Sequence, residues 1–139
     1  MVSLGQREPV GDSSSGKIMR YITHLARSDN GTNLTTGQLG GRVYLYGEDY
    51  YLQQVWASVG TAPTGATIII DIDINGTTIF TTQGNRPIIG TSAYTSGQVT
   101  NMETTRIADG DYVTVIIDQV GSTAPGADLV VMVELLVYG

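Results

Sequence analysis

Residues 66–82 read ATIIIDIDINGTTIFTT, and two incompatible structures compete for them. The hexapeptide Asp71-Ile72-Asp73-Ile74-Asn75-Gly76 copies the first half of a calcium loop, where oxygen ligands alternate and a glycine makes a sharp turn. Position twelve of such a loop supplies a bidentate glutamate, and here that position is Thr82, with no glutamate nearby. Meanwhile Ile68, Ile70, Ile72 and Ile74 alternate with Thr67, Ile69, Asp71 and Asp73, the period-two signature of a half-buried strand. Asn75-Gly76 then closes a two-residue hairpin, because both residues accept the positive φ of a type I′ turn. The predicted partners are Ile74 with Thr77, Ile72 with Ile79 and Ile70 with Thr81. Asp71 and Asp73 then face the other way, alongside Ile69 and Phe80. No metal site is expected.

Outward from this hairpin the same pattern recurs. Short β-branched or aromatic runs punctuated by turn residues predict further strands near 42–46, 51–59, 98–105, 112–120 and 128–138. No crossover helix separates them, so the expected fold is all-β, a jelly-roll-like antiparallel β-sandwich. Residues 17–41 are mixed: KIMRYITHLA suits a short strand or a helical turn, and SDNGTNLTTGQLGG reads as loop. Residues 1–16, made of Gly, Ser and charge around Pro9, read as a flexible arm before one domain spanning 17–139. Segments VGTAPTGATIIIDI from Val59 and VGSTAPGADLVVMV from Val120 share turn residues and a following strand. Either convergent turn chemistry, the preferred reading, or two related halves of a sandwich would explain the match, and both loops are expected at the same rim.

The chain has 139 residues, enough for one core. The N-terminus lacks the apolar stretch of a secretory signal, and no apolar run is long enough to cross a bilayer as a helix. With no cysteine and a net charge of −6, thiolate chemistry is excluded and nucleic-acid binding is not expected, since phosphate backbones select clustered Lys and Arg. Only 14% of residues are charged, against about a quarter in an ordinary domain. That shortfall suits a surface partly covered by other protein and equally a plain β-protein whose exposed faces carry Thr and Ser.

Catalytic constellations are weak. His24 is the only histidine, and it stands without a glycine-flanked serine elbow, so a triad or polyhistidine metal site is not expected. Phosphate-cradling glycine motifs are missing from the sequence. The carboxylate pairs Asp71/Asp73, Asp109/Asp111 and Glu48/Asp49 would suit a glycosidase in principle. Asp109-Gly110-Asp111, however, has the composition of a turn before a strand. Tyr44 and Tyr46 share a face with Arg42, opposite Val43 and Leu45, and aromatic faces of this kind build subunit interfaces or bind sugars. The interface is the preferred reading.

The stretch from Val55 to Ile89, with ASVGTAPTGA leading into IIIDIDING, then TIF and Arg86-Pro87, resembles a module of tailed-bacteriophage structural proteins. IADGDYVTVIIDQVGSTAPGADLVVMVEL, residues 107–135, resembles its closing strands. The resemblance implies a non-enzymatic jelly-roll module that assembles as a homotrimer and occurs as a capsid decoration (cement) protein or at fibre tips. On that footing the partners are other copies and the major capsid protein, the location is the virion surface, and no cofactor is involved. Capsid docking is expected from Arg7, Glu8, Pro9, Tyr21 and His24, with residues 17–41 as a peripheral docking segment. The trimer interface is expected at Tyr44, Tyr46 and Phe80. The alternative is a receptor- or carbohydrate-binding tip using the loop 83–97 with Arg86 and Tyr94, a loop that also suits a plain connector packed by Pro87, Ile88 and Ile89.

Overall fold

The computed structural model describes residues 18–138. Its strands are β1 (Ile18–Arg27), β2 (Gly37–Tyr44), β3 (Tyr50–Ser58), β4 (Ile68–Ile74), β5 (Thr77–Thr78), β6 (Ile88–Ile89), β7 (Arg106–Ile107), β8 (Tyr112–Gln119) and β9 (Val130–Tyr138). They form two antiparallel sheets, ordered β1-β9-β3-β7 and β2-β8-β4-β5, with β6 also paired to β4. The chain is therefore an all-β sandwich. KIMRYITHLA is strand, and the second strand starts well before Arg42.

The 66–82 stretch forms the predicted hairpin. Asn75 and Gly76 have φ of 51° and 84°, and Ile74 pairs with Thr77 while Asp73 pairs with Thr78. The Ile79 N–H donates to the Ile72 carbonyl, but Ile70 donates to Pro87 at 3.0 Å rather than pairing with Thr81. Ile89 and Ile88 then continue the same edge opposite Ile68 and Ile69. β5 and β6 are thus two ends of one strand interrupted by an excursion over residues 80–86.

The excursion corrects the expectation for Phe80. The Phe80 N–H donates to Thr78 Oγ1 at 3.0 Å, and Gln83 Nε2 donates to the Phe80 carbonyl at 2.7 Å. These bonds turn the chain out of strand geometry, so Ile79 and Phe80, adjacent in sequence, are both fully buried. Alternation fails at that step, and the ring enters the core instead of an outer face. The predicted strand 98–105 is likewise mostly loop, joined to β3 by a bridge between Val99 and Val55 and by the Leu52 N–H donating to the Thr105 carbonyl at 2.8 Å.

With β5 and β6 counted as one strand, first pairs with last (β1 with β9), second with penultimate (β2 with β8), and so inward through β3/β7 and β4/β5. That is the order of a long antiparallel hairpin rolled up on itself, the jelly-roll arrangement. The core between the sheets takes Ile68, Ile70, Ile72 and Ile74 from β4, Val113, Val115 and Ile117 from β8, and Val131, Val133 and Leu135 from β9.

The two similar loops meet at one rim. Each passes from one sheet to the other, 59–67 from β3 to β4 and 120–129 from β8 to β9, and they pair directly. Thr64 bridges Ala124 and Thr61 bridges Ala127. The β1–β2 loop joins them where Leu34 N–H donates to Gly126. The β6–β7 loop joins them where Ser92 N–H donates to Pro63 at 2.8 Å.

Candidate functional site

Among the described residues β1 is the edge strand of its sheet and is paired with β9 alone. Hydrophobic patterning would bury one face of such a strand, yet all seven residues from Ile18 to His24 are exposed. Only Leu25 and Ala26, next to a register shift, enter the core. Ile18, Met19, Tyr21 and Ile22 are 54%, 49%, 43% and 61% exposed, and Tyr138, opposite Ile18, is 57% exposed. These five form an apolar corner at the start of β1.

Registers assign the faces. Paired residues share a face, so Ile18, Arg20, Ile22 and His24 stand with Tyr138, Leu136, Glu134 and Met132 on the outer side of the sheet. Tyr51, Gln54 and Trp56 of β3 extend the same face. Tyr21 lies opposite Leu135, on the other side. Tyr21 and His24, expected together in docking, are therefore both exposed but point to opposite faces of one strand. Arg7, Glu8 and Pro9 lie outside the described residues.

Glu134 sits in the middle of this outer face and is nearly buried. Arg20 Nη1 and Gln54 Nε2 each donate to one of its carboxylate oxygens at 3.0 Å. The arrangement is structural: a buried carboxylate is tolerated when its lone pairs are satisfied. Arg20, whose own side chain is 66% exposed, covers the carboxylate from the solvent side.

A second exposed group lies on the other sheet. Tyr44 and Tyr46 have parallel rings 5.9 Å apart. The Tyr112 ring is 5.3 Å from Tyr44, and the Arg42 guanidinium lies 4.3 Å above Tyr112. Arg42 Nη1 donates to the Tyr44 hydroxyl at 3.1 Å. The predicted shared face of Arg42, Tyr44 and Tyr46 is present, and Tyr112 completes it. Phe80 is no part of it.

Three of the paired carboxylates have structural partners. Asp71 Oδ1 accepts from Thr78 Oγ1 at 2.6 Å and from the Ile72 N–H at 2.8 Å. Asp111 accepts from the Ala108 N–H and from Asn75 Nδ2, both at 2.9 Å. Asp49 binds Arg106 at 2.8 Å and the Asp109 N–H at 3.0 Å, and these bonds hold its carboxyl below the usual range. Burial pushes the Asp73 carboxyl up, and the neighbouring Asp71 and Asp118 charges push it further. Among the described residues no three His, Cys, Asp or Glu side chains gather as a metal site.

The alternative receptor loop divides. Arg86 is tied down, donating to Asp118 Oδ2 and to the Gln83 carbonyl, both at 2.7 Å. Pro87 and Ile89 are buried, as a packed connector requires, but Ile88, expected to pack with them, is 40% exposed. Tyr94, 60% exposed, stands apart on the β6–β7 loop.

No protein-family model matches the chain, and no curated protein sequence does. Among solved structures, the capsid of Ralstonia phage GP4 is similar, with a TM-score of 0.49 and 17% identity over 96% of this chain and 92% of that one.

Proposed function

We propose that the chain is a non-enzymatic structural protein of a tailed-phage virion, a trimeric decoration protein that binds junctions of the expanded shell. The observation that carries this reading is the open, apolar edge at Ile18–His24. A sandwich acting alone would blunt such an edge with charge, proline or a covering loop, because it invites association. A protein whose purpose is association keeps it. The low share of charged residues and the phage-module motifs at 55–89 and 107–135 support the same reading.

The mechanism needs no chemistry. A protein that binds only the expanded lattice stabilises that lattice by mass action. Tyr21 and His24 belong to the shell-docking edge, with the arm at residues 1–16 reaching across the junction. The Tyr44–Tyr46–Tyr112 group, in which Tyr44 and Tyr46 are exposed and Tyr112 is half-buried, is the trimer contact. The test is the copy number of this protein relative to the major shell protein in purified virions. A near-stoichiometric ratio is expected; a few copies per particle would exclude decoration and favour a fibre tip, where Tyr94 becomes the residue to examine.

A further inference from the structure

Asn-Gly occurs at two places in the sequence, Asn30-Gly31 and Asn75-Gly76, and both pairs form the same turn. Asn30 and Gly31 have φ of 65° and 66°, and Asn75 and Gly76 have 51° and 84°, the positive values that a type I′ turn requires. The Thr32 N–H donates to the Asp29 carbonyl at 3.5 Å across the first turn, and Ile74 pairs with Thr77 across the second. All four central residues are exposed. The hold on the asparagine is what differs.

An asparagine before a glycine carries its own reaction. The glycine nitrogen, with no side chain beside it, attacks the asparagine Cγ when the carboxamide swings round to meet it. Two bonds oppose that swing at Asn75, whose Nδ2 donates to Asp111 Oδ1 at 2.9 Å and whose Oδ1 accepts from the Tyr112 N–H at 3.1 Å. Asp111 is itself fixed by the Ala108 N–H. Among the described residues the Asn30 carboxamide has no hydrogen-bond partner, and a Cβ on Gly31 would meet no atom within 4 Å. The Gly31 N–H donates to Asp128 Oδ1 at 2.9 Å, which sets a carboxylate where the proton must leave.

We infer that Asn30 is a site of spontaneous deamidation in the folded protein and that the clamped Asn75 is not. Asp128 takes the proton from the Gly31 nitrogen as that nitrogen bonds to the Asn30 Cγ. The Cγ–Nδ2 bond then breaks, and ammonia leaves with the proton. Water opens the resulting succinimide at either carbonyl, leaving isoaspartate or aspartate at position 30. The product adds a carboxylate beside Asp29, and the isoaspartate form lengthens the backbone of the β1–β2 turn. The inference stands on the two turns and is independent of the shell-binding reading.

Peptide mapping of the full chain, incubated at neutral pH in buffer and in concentrated urea, reads both sites by mass and by isoaspartate content. In the folded chain Asn30 is expected to convert at least about tenfold faster than Asn75, where two hydrogen bonds must first break. In urea, where neither turn persists, the two are expected to convert at similar rates. The same ratio in buffer as in urea, faster conversion at Asn75, or an inert Asn30 in the folded chain would each overturn the inference. Asp128→Asn tests the proton's destination: asparagine tolerates the φ of 57° at that position and still accepts a hydrogen bond, but it takes no proton. It is expected to slow conversion at Asn30 several-fold in buffer and to change nothing in urea. An unchanged rate in buffer would overturn the role given to Asp128.

Discussion

At the residue scale, alternation along 66–74 was readable because its cause is local: an isoleucine facing the core cannot exchange places with the residue beside it. The Asn75-Gly76 turn was readable for the same reason, since φ is set within each residue. Asn75 does more than bend, because its Oδ1 accepts from the Tyr112 N–H at 3.1 Å, a contact with no local sequence signal. Phe80 was misplaced because its orientation depends on Thr78 and Gln83 side chains that catch its backbone. Asp73 illustrates a local group under a distant field. Its folded carboxyl titrates above the ordinary value, from burial and then from Asp71 and Asp118. For an acid this sign means that ionisation opposes folding: stability falls as pH rises through the ordinary carboxylate range, near 3.9. Asp73→Asn is therefore expected to raise the thermal midpoint at pH 7, with the gain shrinking towards pH 3. A midpoint lower than that of the unmodified chain at pH 7 would show that the charge has a favourable partner.

At the element scale, the long strands were legible and the short ones were not. β3, β8 and β9 carry enough alternating or continuous apolar residues to declare themselves. β5, β6 and β7 exist only because β4 and β3 offer edges to pair with, so their boundaries belong to tertiary structure. β1 was ambiguous because its exposed apolar residues fit neither a half-buried strand nor an amphipathic helix. The repeated loops were seen as turn chemistry, yet their likeness reflects a shared job: each carries the chain between sheets at one rim, and the two pair with each other. Gly121 shows how tight that junction is. A Cβ there would collide with the Ala124 carbonyl oxygen and lie 2.9 Å from that of Thr64. Gly121→Ala is expected to destabilise by about 2 kcal/mol or more, since the clash is with backbone that cannot rotate away. Gly84→Ala, with no atom within 4 Å of its Cβ, serves as the control. Equal denaturant midpoints for the two variants would mean that the paired loops are loose.

At the scale of the whole molecule, the rolled topology ties the first and last described strands together. Ile18 pairs with Tyr138 and Arg27 with Val130, so the first and last strands close the sandwich. Pairings of such sequence separation place the fold among slow folders. They also divide the N-terminal region into a part that the described contacts do not use and a part on which they depend. Removing residues 1–16 breaks none of the described pairings, and the resulting chain is expected to unfold cooperatively within a few degrees of the full-length midpoint while binding shells more weakly. Removing residues 1–27 strips β9 of its partner over the whole length of β1 and leaves Glu134 without Arg20. Glu134 keeps its bond from Gln54, but the backbone bonds and packing lost with β1 are a large part of what a domain of this size has in hand. That chain is expected to lose its cooperative transition in calorimetry and to aggregate along the exposed β9 edge. If it instead unfolded cooperatively near the full-length temperature, β1 would be an appendage to the sandwich, and its open edge would say nothing about what the fold was shaped to bind.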